Sequence, residues 1–170
     1  MRNVKDWVTL ANAFFGFTAI LVAISFGATS YWTAVVLIGL AVVADLLDGR
    51  IARATKTQDA FGMHLDSLAD AVSFGVAPVI VFLSLHYLQF YLTQLPVLVA
   101  GMAFLGAALV RLARFNTIGK QKHYEGLPTP AAALILVVSA PYLLFSLWLQ
   151  CGVLLVLAFL MLSRFKFKAL

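Results

Sequence analysis

The sequence predicts an all-α membrane protein with six transmembrane helices and both termini cytoplasmic. Composition is the first reason: 63% of the 170 residues are hydrophobic and 11% are charged, and the mean hydropathy is +0.99, outside the range of soluble chains. The second is that the chain divides into apolar runs that approach the ~20 residues a helix needs to cross hydrocarbon. The third is the placement of charge. All twelve Lys and Arg fall in four groups: Arg2 and Lys5; Arg50, Arg53 and Lys56; Arg111, Arg114, Lys120 and Lys122; Arg164, Lys166 and Lys168. Lys/Arg-free connections near residues 27–31, 89–94 and 147–152 alternate with them, which is the positive-inside pattern. The net charge of +5 therefore reports topology and contact with anionic lipid rather than nucleic acid, for which no motif is present.

Taken in order, residues 1–6 form a cytoplasmic lead and Trp7 suits the interface. The apolar run 7–26 is longer than a signal-peptide core and no A-x-A site follows, so it is read as span one, over 8–26. Residues 27–30 turn the chain. Tyr31 and Trp32 open span two as an aromatic belt, and it descends toward Arg50 with Asp45 and Asp48 near its cytoplasmic end. After a polar linker at 54–60, span three rises over 62–87 with a kink expected at Pro78. Span four, 96–114, starts with Pro96 in its first turn and carries Ala100, Ala103 and Ala107 at helical spacing for close helix approach. A polar loop at 116–126 leads to span five, 128–148, and a short span six, 153–165. Cys151 is the only cysteine, which excludes an internal disulfide and reads as apolar filler. With no repeat and no linker, residues 1–170 are read as one membrane domain.

Five of the seven acidic residues lie between Asp45 and Asp70. Carboxylates at the ends of apolar helices are costly and mark function. Asp45 and Asp48 are three apart on one helix, and Asp66 and Asp70 four apart on the next, so each pair shares a helix face. Two antiparallel helices would bring four carboxylates together at one depth, a charge that calls for cations. Hard oxygen ligands suit Mg²⁺ or Mn²⁺, and two such ions would leave coordination positions for substrate phosphates. No His or Cys is spaced for zinc; His64 is two residues from Asp66 and points elsewhere. Gly49 and Gly62 admit a bulky group beside the metals, Ala52 extends that slot, and Arg53 adds a cation for a second phosphate. Together these residues outline a diphosphate site at the lipid–water boundary.

The spacing D-x2-D-G-x2-A-R-x8-G-x3-D-x3-D, met at Asp45, Asp48, Gly49, Ala52, Arg53, Gly62, Asp66 and Asp70, resembles the signature of the CDP-alcohol phosphatidyltransferase family. The resemblance implies six helices, two divalent metals bound by Asp45, Asp48 and Asp66 with help from Asp70, and Asp70 as the base. It also implies a nucleotide within reach of Thr9 and Asn12 on span one, and a homodimer. The runs 65–78, 111–116 and 126–133 resemble the phosphatidylserine-forming branch, which implies CDP-diacylglycerol and L-serine as substrates and CMP as product. The same chemistry on glycerol 3-phosphate or inositol phosphate stays open.

The expected reaction is in-line attack of an alcohol on a metal-bound diphosphate at the cytoplasmic face. A carboxylate of ordinary pKa ~4 is a weak base for an alcohol, so positioning and charge neutralisation should carry most of the acceleration. A serine carboxylate needs a receptor, and Arg111 and Arg114, three apart where span four reaches the cytoplasm, offer one; membrane anchoring is their simpler role. Asn116 and Glu125 are weaker candidates for the serine amine, and Lys120 and Lys122 read as loop charges facing lipid. Two rival classes are a divalent-cation transporter and a prenyltransferase. The first lacks a second polar layer in the outer half of the spans, and the second would release pyrophosphate instead of CMP.

Overall fold

The computed structural model describes residues 4–55, 60–86, 95–118, 124–143, 146–163 and 166–167. Helices α1 (Val4–Phe26) and α2 (Tyr31–Thr55) are joined by a 3-10 turn, Gly27–Ser30, whose glycine takes φ +54°. Thr9 and Asp48, equally far from that turn, touch each other, so the pair is an antiparallel hairpin. Helix α3 (Ala60–Asp70) runs without a break through a π-helical turn, Ala71–Val76, into α4 (Ala77–His86). Next come α5 (Leu95–Ile118), α6 (Thr129–Ser139) with a 3-10 extension over Ala140–Leu143, and α7 (Leu147–Leu162). The only sheet among the described residues is a two-residue antiparallel pairing of β1 (Tyr124–Glu125) with β2 (Lys166–Phe167), Tyr124 opposite Phe167.

The protein is thus all-α apart from that short pairing. Three helical stretches are long and apolar enough to cross a membrane: Asp6–Ile51, Phe61–Leu85 and Leu95–Phe115; Thr129–Leu143 and Leu147–Leu162 are shorter. The first of the three is the α1–α2 hairpin. At ~1.5 Å per residue each of its arms reaches roughly 35 Å, more than the ~30 Å hydrocarbon thickness.

Burial follows the logic of lipid. Small residues fill the centre where helices approach: Ala19, Ala34, Ala77, Ala108 and Ala140 are fully buried, interleaved with Ile38, Phe74, Phe82 and Phe104. The large apolar side chains Trp7, Phe14, Ile24, Met102 and Phe159 point outward and are more than 60% exposed, a surface that only an apolar solvent tolerates. Of the expected small-residue stripe on α5, Ala100 and Ala107 are buried, whereas Ala103 lies on the exposed face and Phe104 takes the inner position.

Two expectations change in detail. The connection expected at 147–152 is not there, since those residues are helical; the 3-10 extension of α6 runs to Leu143, and Ser146 starts α7 by accepting a hydrogen bond from the Leu149 amide. Trp148 therefore belongs to α7, which starts six residues before the Val153 expected for span six. Pro141 lies in that extension and has no N–H to offer the Val137 carbonyl. The buried Tyr31 hydroxyl donates to that carbonyl instead, tying α2 to α6. At Pro78 the chain is accommodated without a break: the preceding turn widens, with the Ala77 amide donating to Val72, five residues back. A π turn relieves the clash between a proline ring and the carbonyl four residues earlier.

Candidate active site

Helix α2 stays regular through Asp45 and Asp48, and α3 through Asp66 and Asp70, so both pairs keep the shared faces their spacing requires. Asp45, Asp66 and Asp70 come together: a carboxylate oxygen from each lies within 4.8 Å of the others. At an effective dielectric of about 20 such a separation costs roughly 3–4 kcal/mol of repulsion per ionised pair. Asp45 and Asp66 are half-buried and Asp70 is 8% exposed, which leaves the cluster open on one side. Three carboxylate oxygens without a thiolate or imidazole form a hard donor set that suits a divalent cation such as Mg²⁺ or Mn²⁺; His64 is exposed. Asp48 stands outside this triplet. It is 2% exposed and accepts a hydrogen bond from the Thr9 hydroxyl.

Helix α1 is the back wall of the site. Thr9, Asn12 and Gly16 recur at intervals of three and four on one face, and each meets the aspartate-bearing helices. The Asn12 amide nitrogen donates to Asp70 Oδ1 at 2.9 Å, and Ser73 Oγ, one turn beyond Asp70, donates to the Asn12 carbonyl at 2.9 Å. Gly16 allows that approach, because a Cβ there would sit 2.3 Å from Ser73 Oγ and 2.6 Å from its Cα. Thr9 and Asn12, expected at the nucleotide, have their donors directed at aspartates. Ser73 and Gly16 were not singled out in the sequence, although the three-four stripe Thr9–Asn12–Gly16 is legible there. Asp6 continues that stripe, is 3% exposed and has Oδ1 buried without a hydrogen-bond partner among the described residues.

Gly62 is buried and Gly49 half-buried on the two aspartate helices. The side chains of Ala52, Arg53 and Asn116 lie outside the described residues, as do Lys120 and Lys122. Arg111 is half-buried on α5, which packs on α3 and on the π turn, and its guanidinium donates to Thr129 Oγ1 at 2.8 Å. Thr129 opens α6 and is fully buried, a partner that the run G-L-P-T-P did not single out. Arg114 is exposed and its guanidinium lies 3.5 Å from the Leu162 carbonyl at the end of α7. The two arginines thus have different surroundings: one faces the protein interior, the other a helix terminus. Glu125 lies in β1, its backbone paired with Lys166.

The family model described as CDP-alcohol phosphatidyltransferase matches residues 2–163. The chain is 37% identical over 158 residues to the CDP-diacylglycerol–serine O-phosphatidyltransferase of Saccharomyces cerevisiae, covering 84% of this chain and 55% of that one. It is 39% identical over 135 residues to the protein of the same name from Methanocaldococcus jannaschii, covering 79% and 59%. It is 38% identical over 143 residues to the archaetidylserine synthase of Methanothermobacter thermautotrophicus, covering 82% and 58%. The chain therefore spans a little over half the length of these curated relatives. Because the family match runs from before α1 to the residue after α7 and includes every element that builds the carboxylate cluster, the chain belongs to the CDP-alcohol phosphatidyltransferase family.

Proposed function

We propose that this protein transfers the phosphatidyl group of CDP-diacylglycerol to the hydroxyl of L-serine, forming phosphatidylserine and CMP. The observation that carries the reading is the Asp45–Asp66–Asp70 cluster, three carboxylate oxygens within 4.8 Å built from the family's spacing. Relatives named for serine O-phosphatidyl transfer support the choice of acceptor.

Asp45, Asp66 and Asp70, with Asp48 beside them, are the residues that would hold two Mg²⁺ or Mn²⁺ ions. Such ions, when bound, supply neutralisation of the diphosphate and of the departing CMP. The chain's own groups do the rest. The serine oxygen bonds to the lipid-side phosphorus as the bond from that phosphorus to the CMP oxygen breaks. The hydroxyl proton passes to Asp70, which returns it to solvent. Gly49, Ala52 and Gly62 leave room for the nucleotide, Thr9 and Asn12 hold Asp48 and Asp70 from behind, and Arg53 holds the second phosphate. Arg111, with Arg114 and Asn116 near the same end of α5, receives the serine carboxylate. Six passes with both termini cytoplasmic place the site at the cytoplasmic face, where a soluble acceptor meets a lipid donor. The family resemblance supports a homodimer in the bilayer.

The test is CMP release in detergent from CDP-diacylglycerol with Mg²⁺ or Mn²⁺, offered serine, glycerol 3-phosphate, inositol or inositol phosphate in turn. Serine-dependent release, lost on chelation and restored by either ion, is the expected result. Release with glycerol 3-phosphate and none with serine would overturn the acceptor and keep the chemistry. Mn²⁺ flux into vesicles with no nucleotide requirement would support transport instead.

A further inference from the structure

Beyond the cluster itself, the structure contains a chain of contacts behind Asp70 that reaches no solvent. Asn12, Ser73 and Phe74 are 0% exposed, and Asp70 is 8% exposed. The Asn12 amide nitrogen donates to Asp70 Oδ1 at 2.9 Å, while its Oδ1 is buried with no hydrogen-bond partner among the described residues. Of the two polar ends of this amide, the nitrogen alone has a hydrogen-bond partner among the described residues. A donor facing an ionised carboxylate is the stronger kind of hydrogen bond. Ser73 Oγ then fixes the Asn12 backbone by donating to its carbonyl at 2.9 Å, and only a glycine at position 16 lets the two helices approach so closely. Ser73 belongs to the π turn that begins directly after Asp70, so the same widened turn that accommodates Pro78 also brings the serine to α1.

We propose that Asn12 is a positioning residue for Asp70, itself held by Ser73 across the Gly16 contact, and that it acts on the carboxylate rather than on the nucleotide. The inference rests on the proposed role of Asp70 as metal ligand and base. A residue at zero exposure presents no surface to a nucleotide, whereas its donor already lies on the carboxylate. Groups that orient ligating side chains typically change metal affinity by 10–100-fold when removed.

The test uses the purified protein in detergent and two readouts. The first is Mn²⁺ affinity by electron paramagnetic resonance, without substrate. Asn12→Ala should weaken it at least fivefold, and Ser73→Ala in the same direction by a smaller factor. In an Asp70→Asn background neither change should weaken it further, because they act through one group. The second is turnover: Asn12→Ala should lower kcat at least tenfold with the KM for CDP-diacylglycerol within twofold, and Asn12→Ala/Ser73→Ala should be no worse than Asn12→Ala. A raised KM for the CDP-lipid at unchanged kcat would overturn the proposal in favour of a nucleotide contact. Unchanged Mn²⁺ affinity in both single variants would also overturn it. Should Asn12→Ala fail to fold, Ser73→Ala, which removes one hydroxyl, carries the same test. If no acceptor supports CMP release, the Mn²⁺ comparison still decides the positioning role, separately from the reaction.

Discussion

Gly126 offers the sharpest perturbation outside the cluster. It is buried, takes φ +77°, and a Cβ there would lie 2.7 Å from the Met161 carbonyl oxygen, 2.8 Å from that of Ser163 and 3.0 Å from that of Leu160. These are the carbonyls that the end of α7 leaves without helical partners. The connector between α5 and α6 closes over them, with the Leu127 amide donating to Leu160 at 3.0 Å and Arg114 reaching Leu162. Gly126→Ala therefore meets two costs: about 1 kcal/mol for a left-handed backbone on a residue with a Cβ, and about 1–3 kcal/mol for separating packed backbone. At roughly 2–4 °C per kcal/mol for a chain of this size, the thermal midpoint in detergent should fall by about 4–16 °C, followed by circular dichroism at 222 nm. Gly126→Asn separates the terms. Asparagine tolerates the backbone conformation but still brings a Cβ, so it should lose nearly as much if overlap dominates. A Gly126→Ala protein melting within 1 °C of the parent would refute the argument that this connector is locked onto α7.

Further outcomes follow from single contacts. Tyr31→Phe should destabilise by about 1–3 kcal/mol, since the buried Val137 carbonyl then faces Pro141 with no donor. The ring and its edge contact with Trp32, centroids 5.7 Å apart, are retained, so the loss read by thermal unfolding isolates the hydroxyl. Arg111→Ala and Thr129→Val should each raise the KM for serine, by roughly 10- to 150-fold for the arginine if a charge-assisted contact of about 1.5–3 kcal/mol is lost, with the KM for CDP-diacylglycerol within twofold. Unchanged serine kinetics in both would return the pair to a structural tie between α5 and α6.

The helices were legible because hydropathy and basic residues report the solvent, and lipid is a strict one. Their ends were less so. The boundary between α6 with its extension and α7 is marked by Ser146, which caps α7 and is hidden inside a run of continuous apolarity. The aspartate pairs were legible because spacing of three and four on a helix fixes a shared face whatever surrounds it. Of the four carboxylates expected to converge, Asp45, Asp66 and Asp70 each bring an oxygen within 4.8 Å of the others, and Asp48 accepts from Thr9, a contact that only a neighbouring helix can decide.

The sequence alone therefore determined the apolar helical character, the two aspartate faces and the family signature, all of which are local: composition and helical period act within one segment. Tertiary structure alone decided which groups surround each carboxylate. Thr9 and Asn12 lie on the same helix face, yet one meets Asp48 and the other Asp70, because α2 and α3 approach α1 at different points along its length. That approach depends on Gly16 and Ser73, which are 57 residues apart and carry no charge. Contacts made by shape between distant segments leave no periodic trace in the chain, whereas the carboxylates they orient do.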